Sequence, residues 1–250
     1  MKKIGMISLL LILLISPSLV YSDIVTFKLG YFFPRAGSDL WTTEFENMTF
    51  QKTDFTGSIF GFAYEYFVSR EISVQFSVDG YTKQKSGVYQ EWDGLDDYDG
   101  RWAYPRNSLS MVDFIPQHIY SVSITPVQMN VKFTPLGRAQ KIIPYIGAGI
   151  GLYIWSVRMQ GDIVDFDDVW EDIDLGVIIH PIYISDIRDE NKLAFGFQGL
   201  AGVMFPLASR VSFEGEFKYN FAKGSLDKFI GFERFDLSGF QICLAMNYWF

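Results

Sequence analysis

From Ile24 onward the chain repeats one pattern, in which bulky apolar residues occupy one parity and small or polar residues the other. In the first stretch, Ile24 to Phe33, Val25, Phe27, Leu29 and Tyr31 lie opposite Thr26, Lys28 and Gly30. Phe60, Phe62, Tyr64 and Tyr66 follow, opposite Ile59, Gly61, Ala63 and Glu65, within Thr56 to Val68. Then come Ile72, Val74, Phe76 and Val78 opposite Ser73, Gln75, Ser77 and Asp79. This is the period of a strand, whose successive side chains point to opposite faces. Five more stretches predict strands: one spanning Tyr120 to Phe133, then Ile143 to about Trp155, Leu193 to Phe205, Val211 to Phe221, and a last one ending at Phe250. In the fourth stretch the apolar parity changes, from Tyr120, Val122 and Ile124 to Val127, Met129, Val131 and Phe133. The change falls at Thr125-Pro126 and predicts a β-bulge, a place where proline is tolerated.

The connections alternate too. Long ones run from about Pro34 to Phe55, Tyr81 to Gln117 and Ser156 to Lys192, and one of moderate length precedes the last strand. Short turns lie around Ser69-Arg70, Pro135-Arg138 and Pro206-Arg210. Eight strands joined alternately by long and short links predict an all-β fold, an eight-stranded antiparallel up-and-down transmembrane β-barrel with both termini at the short-turn end. A soluble barrel of the same strand count would turn its bulky residues inward. Alternation does not by itself distinguish inside from outside.

The ends of the chain favour the membrane. Lys2, Lys3, the apolar run Ile7 to Ile15 and a small-residue site before Asp23 read as a signal peptide over residues 1–22, leaving residues 23–250 as the barrel domain. No later apolar run approaches the roughly 18 residues that a membrane-spanning helix needs. An exported chain with mean hydropathy +0.12 therefore either stays soluble or spans as a closed barrel. The last strand carries a bulky stripe, Phe240, Ile242, Leu244, Met246, Tyr248 and Phe250, facing Gly239, Gln241, Cys243, Ala245 and Asn247. A lipid-facing exterior and a crowded polar interior account for both faces.

Two stretches resemble a known family. The terminal Phe250, with Tyr248 two residues before it, resembles the closing strand of bacterial outer-membrane β-barrels, and implies an assembly signal read by the barrel-insertion machinery. Pro144-Tyr145-Ile146-Gly147-Ala148-Gly149-Ile150-Gly151 is similar to the glycine-alternating strand of small barrels of the OmpW-like and opacity-protein type. The resemblance implies a cell outer-membrane location with periplasmic termini and extracellular long loops, contact with outer-membrane lipids, and admission of small hydrophobic molecules. The alternative is a surface interaction or adhesion protein that acts through its acidic loops.

Composition narrows the chemistry. The formal charge of −8 becomes −10 once Lys2 and Lys3 leave with the leader, which disfavours nucleic acid as a partner. A single cysteine, Cys243, forms no intramolecular disulfide and reads as a buried filler. Two histidines without a Cys/His cluster predict neither a metal site nor a cofactor site. The three glycines of the fifth strand leave room for large lumen side chains. On the polar parity, Lys28, Lys132 and Lys218 share a face with Glu65, Asp79, Glu214 and Glu216, which predicts a lumen network of mixed sign. It reads as a filling of ion pairs ahead of a gate or a pore. Catalysis finds less support: Glu214 and Glu216 share a face with nothing else suggesting a sugar cleft. His118 and Ser121, three apart, point to opposite faces, which weighs against lipid A modification, and His180 is expected in a loop. The acidic runs Asp93 to Asp99 and Asp162 to Asp174 have no EF-hand spacing and read as solvated loop surface.

Overall fold

The computed structural model describes residues 23–250; the signal-peptide reading falls on residues 1–22, outside the described residues. Eight long strands form the wall: β1 (Ile24–Pro34), β2 (Gly57–Phe67), β3 (Ile72–Val88), β6 (Gln117–Phe133), β7 (Ile143–Val164), β9 (Val177–Ala208), β10 (Val211–Ser225) and β12 (Gly239–Trp249). Each pairs antiparallel with its neighbours in that order, and β12 returns to β1 from Ile24↔Trp249 to Pro34↔Gly239. The ring is closed, so every wall strand finds both of its neighbours, which is what a strand needs where no water is available.

The exposure pattern settles which face is which. Phe213, Phe217 and Phe221 on β10 are about half exposed, whereas Ser212, Glu214, Glu216 and Lys218 between them are at most 2% exposed. The same inversion runs around the wall: Leu29, Phe60, Phe62, Phe76, Val131, Ile146, Leu152, Phe195, Phe197 and Leu244 point out. So wide an apolar belt on a monomer in water would aggregate. Covered by acyl chains it is the outer surface of a membrane barrel, and closed single-chain barrels of this size belong to bacterial outer membranes. The soluble alternative is excluded, since it would place these rings inside.

At the short-turn end the wall strands stop within a few residues of the belt. At the other end they continue well beyond it. Four small strands complete the crown there: the hairpin of β4 (Trp92–Asp97) and β5 (Gly100–Pro105), then β8 (Trp170–Asp172) and β11 (Arg234–Asp236). The hairpin hangs on β9 through Trp102↔Pro181 and Ala103↔His180. The long connections are therefore largely folded. Their alternation was hidden in the sequence because above the membrane neither face of a strand needs to be uniformly apolar.

The first connection differs most from a polar loop. It contains helix α1 (Asp39–Asn47) and a 3₁₀ turn, Lys52–Phe55. Leu40, Trp41 and Phe55 project from them into the barrel mouth and are at most 2% exposed.

The expected bulge at Thr125-Pro126 does not form. Val78↔Val127 and Tyr81↔Ile124 keep one register with β3, and β6 runs through Thr125↔Ile154 and Pro126↔Tyr153 to Val127↔Leu152 without a shift. The even residues of β6, from His118 to Lys132, face the interior along its whole length. What changes at Pro126 is the surroundings. Below it the outside is lipid and the inside polar; above it the outside is water and the inside apolar. The apolar stripe consequently crosses the wall while the backbone stays regular. Register shifts do occur elsewhere, between Trp155 and Val157 on β7 and at Val211/Ser212 on β10.

Candidate functional site: a sealed lumen

Within the barrel, the polar parity of five strands, β1, β2, β3, β6 and β10, converges on one charged network. Lys28, Glu65, Asp79, Lys132, Glu214, Glu216 and Lys218 are each at most 2% exposed. Lys28 Nζ lies 2.7 Å from Glu216 Oε1. Lys132 Nζ donates to Glu65 Oε2 at 2.9 Å, with Glu214 Oε1 3.5 Å away. Lys218 Nζ pairs with Asp79 and donates to Gln128 at 2.8 Å. Three cations thus meet four carboxylates. Neutral donors carry the remaining charge: Tyr145 donates to Glu214 and lies 3.0 Å from Glu216, Asn247 Nδ2 donates to Glu214 at 2.7 Å, and Ser73 donates to Glu65 at 2.5 Å. Ion pairs out of water persist when their other lone pairs are also satisfied; these donors supply that for Glu65, Glu214 and Glu216, while Asp79 keeps one buried oxygen, Oδ1, without a hydrogen-bond partner.

Gln75 is expected on the inner face from its parity; Gln128, Asn130, Tyr145, Tyr153 and Gln198 join it without a charge to mark them in the sequence. Asn130 joins Gln75 and Gln198 at 3.2 and 2.7 Å, and Gln128 joins Tyr153 and Asn220 at 3.0 and 2.9 Å. Tyr145 is the most instructive of them. Its parity with Gly147, Gly149 and Gly151 already placed it on the inner face, but as part of an aromatic-glycine run it carried no polar signal. It lies at the centre of the charge cluster, with the Lys132 ammonium 3.8 Å above its ring. The glycines provide the space: a Cβ on Gly151 would meet Gln128 Cγ at 2.9 Å, and one on Gly149 would run into Asn130 and Gln198.

Apolar clusters close both ends of this layer. Towards the short turns, Ile24, Phe67, Ile143, Leu200 and Met204 pack together. Towards the crown, the Trp41 ring lies 4.9 Å from Phe55, 5.1 Å from Tyr120 and 5.2 Å from Phe235, and Phe235 stacks on Trp155 at 5.6 Å. Polar contacts hold this stopper in place. Trp41 Nε1 donates to the Asp236 carbonyl at 3.2 Å, Tyr81 donates to the Phe55 carbonyl, and Glu44 of α1 meets His118 Nε2 of β6 at 2.7 Å with both side chains buried. The buried Asp236 carboxylate accepts from the Gly37 and Ser238 amides at 2.9 and 3.1 Å, tying the first and last long connections together. A cavity of about 10 Å³ remains between Tyr81, Tyr153 and Asp79, room for no more than about one water molecule.

The other candidates are dispersed. His118 faces inward onto Glu44, and Ser121 faces away. His180 lies in a strand and not in a loop; its Nδ1 is 3.0 Å from the Asp168 carbonyl and its ring is 4.9 Å from that of Trp92. Glu214 and Glu216 are buried against lysines. Of the acidic runs, Asp93 contacts Arg106, and Asp162 contacts Arg101 at 2.5 Å. Among the described residues no group of three or more His, Cys, Asp or Glu is arranged to hold a metal ion. Cys243 is free and buried. Tyr248 and Phe250 point outward, 47% and 56% exposed, and the Phe250 amide donates to the Asp23 carbonyl at 3.1 Å.

No protein-family model and no curated protein matches the chain. Among solved structures it is similar to the outer membrane protein OprG from Pseudomonas aeruginosa, at 11% identity over 92% of this chain and 96% of that one, with a TM-score of 0.49. It is also similar to a major outer membrane protein from Thermus thermophilus, at 10% identity over 93% and 100%, TM-score 0.45. Neisserial surface protein A gives 11% over 92% and 97%, TM-score 0.43. The fold assignment rests on this chain's own closed wall and inverted exposure: the protein is a small eight-stranded outer-membrane β-barrel.

Proposed function

We propose that the protein acts as a sealed membrane anchor for a folded, acidic crown that binds a partner at the cell surface. The observation that carries this reading is the filled lumen, in which apolar stoppers lie above and below a layer of ion pairs that meet across the barrel. An eight-stranded wall is just wide enough to be filled by side chains. Ordering the crown as hairpins and buried aromatic contacts costs conformational entropy, which a mere set of linkers would have no reason to expend. Its segments 89–116 and 156–191 hold the acidic runs, and Tyr98, Ile173 and Ile230 stand out fully or almost fully exposed at the crown surface. The reading is non-enzymatic, supported by the burial of Glu214 and Glu216 among lysines and by the separation of His118 from Ser121.

Admission of small hydrophobic molecules is the second reading. It requires the Trp41 stopper to leave the mouth, or a lateral route that bypasses the lumen. Planar-bilayer conductance, uptake of a nonpolar fluorophore into vesicles and adhesion of expressing cells, all with the same protein, separate the two. We expect neither conductance nor uptake, and an adhesion that is lost when residues 166–176 are replaced by a Gly-Ser linker. Uptake by the wild-type protein without an effect of that replacement would sink the anchor reading.

A further inference from the structure

The outer wall carries a second feature, apart from the lumen. At the crown edge of the belt, Phe33, Phe240 and Tyr219 form one row across β1, β12 and β10, since Phe33 pairs with Phe240 and Phe240 with Tyr219. Phe33 and Phe240 stack at 4.5 Å and 10°, and Phe217 stacks on Phe240 from below at 5.8 Å. Above the row Pro34 and Arg35 leave β1, and the 3₁₀ turn brings in Lys52, Thr53 and Thr56. Together they bound a groove of about 340 Å³ open to the outside.

Its charge runs against its surroundings. The four connections between wall strands at the crown end, residues 35–56, 89–116, 165–176 and 226–238, hold 19 acidic and 6 basic residues. Yet the groove is lined by two cations and no carboxylate. Lys52 has no ion-pair partner among the described residues, and Arg35 reaches Asp236 at only 4.0 Å with its side chain 55% exposed. The neighbouring acid, Asp54, is engaged by Lys85 at 3.3 Å. One cation without an ion-pair partner and one held only at 4.0 Å by its own, directly above an aromatic floor at the crown edge of the belt, fit a ligand with an anionic head and an apolar tail.

We propose that this groove binds one membrane lipid with a phosphate headgroup, the phosphate held between Arg35 and Lys52 and an acyl chain laid along Phe240 and Phe217. Arg and Lys supply charge-assisted hydrogen bonds to phosphate oxygens, Thr53 and Thr56 offer hydroxyl donors, and the ring faces provide apolar area for the chain. Neither half of the groove alone would select a lipid. An anion without a tail misses the rings, and a neutral amphiphile leaves the two cations unanswered.

Native mass spectrometry of the full-length protein released from micelles doped with dioleoyl phosphatidic acid tests this. Wild-type protein should retain one phosphatidic acid, and Arg35→Ala/Lys52→Ala should retain it about tenfold less, the order expected for losing charged contacts to phosphate. A control, Lys228→Ala/Arg234→Ala, removes the same charge elsewhere in the crown and should retain lipid like the wild type. Phe240→Ala should lower retention with the cations intact. Millimolar inorganic phosphate should not displace the lipid. Equal retention by wild type and the Arg35/Lys52 variant, equal loss in the control, or displacement by phosphate alone would each overturn the proposal. Unshifted electrophoretic mobility of the folded variants on unheated gels separates lost binding from lost folding.

Discussion

Lys132→Met tests whether the lumen network holds the barrel together. The ammonium lies 2.9 Å from Glu65, 3.5 Å from Glu214 and 3.8 Å above the Tyr145 ring, and is fully buried. Met keeps much of the volume and removes the charge. Glu65 is then left with the Ser73 hydroxyl, and Glu214 with Tyr145 and Asn247, so two carboxylates stay out of water beside each other with hydrogen bonds but without their nearest cation. Removing one partner of a buried pair costs about 3–5 kcal/mol because of the charge left behind. At about 1.4 kcal/mol per tenfold, this is roughly two to four powers of ten in the unfolding equilibrium. Reversible urea unfolding in phospholipid vesicles, followed by tryptophan fluorescence, measures it. Lys132→Met/Glu65→Gln should regain a substantial part of the loss, since the Gln oxygen still accepts from Ser73 and one stranded charge is gone. A loss below about 1 kcal/mol for the single variant, or a double variant no better than the single one, would show that the network fills space without contributing to stability as a set of paired charges.

Side-chain direction has its own test: Phe213→Arg or Phe217→Arg near mid-membrane should destabilise by about 2–4 kcal/mol, and spin labels at Glu214 should collide with lipid-soluble oxygen far less than labels at Phe217. Gly149→Val should cost at least about 1–3 kcal/mol, because a Cβ there collides with the Met129 carbonyl as well as with Asn130 and Gln198, read as a lower urea midpoint. Trp41→Ala should cost about 3–5 kcal/mol and raise single-channel conductance if the stopper is the seal; an unchanged bilayer trace would assign the seal to the ion-paired layer alone. In the crown, hydrogen bonds from the Leu175 amide and then the Tyr104 hydroxyl hold Asp172 below the usual carboxylate range, and burial pushes Tyr104 up to about 12. A lowered acid contributes stability that is lost as pH falls through its folded pKa. A raised phenol contributes stability that is lost as pH rises from about 10 towards 12. Protection of residues 172–176 against hydrogen exchange, taken relative to the intrinsic rate at each pH, should therefore fall at both extremes and stay flat between about pH 5 and 9.

The wall was legible in the chain because a strand half in lipid and half in a filled lumen must alternate, and β1, β2, β10 and β12 do so along their membrane-facing lengths. The seven charged residues on the inner parity were legible for the same reason. Which lysine meets which carboxylate was not, since Lys28 and Glu216 are brought together only by the closure of β1 against β12 and β10. The apparent break at Thr125-Pro126 shows the limit from the other side. Hydrophobicity reports the surroundings of a residue, and when lipid gives way to water along a regular strand the pattern flips without the backbone doing so. The α1 stopper was hidden because its fitness depends on the partners that the barrel mouth supplies. A nine-residue segment, Asp-Leu-Trp-Thr-Thr-Glu-Phe-Glu-Asn, is too short to hold a helix by itself. Trp41 and Phe55 find a core only where Tyr120, Trp155 and Phe235, from three distant parts of the chain, already meet. Local alternation was thus fixed by the residues themselves, whereas the seal, the charge pairing and the lipid-edge groove arise from contacts between segments that only the closed barrel brings together.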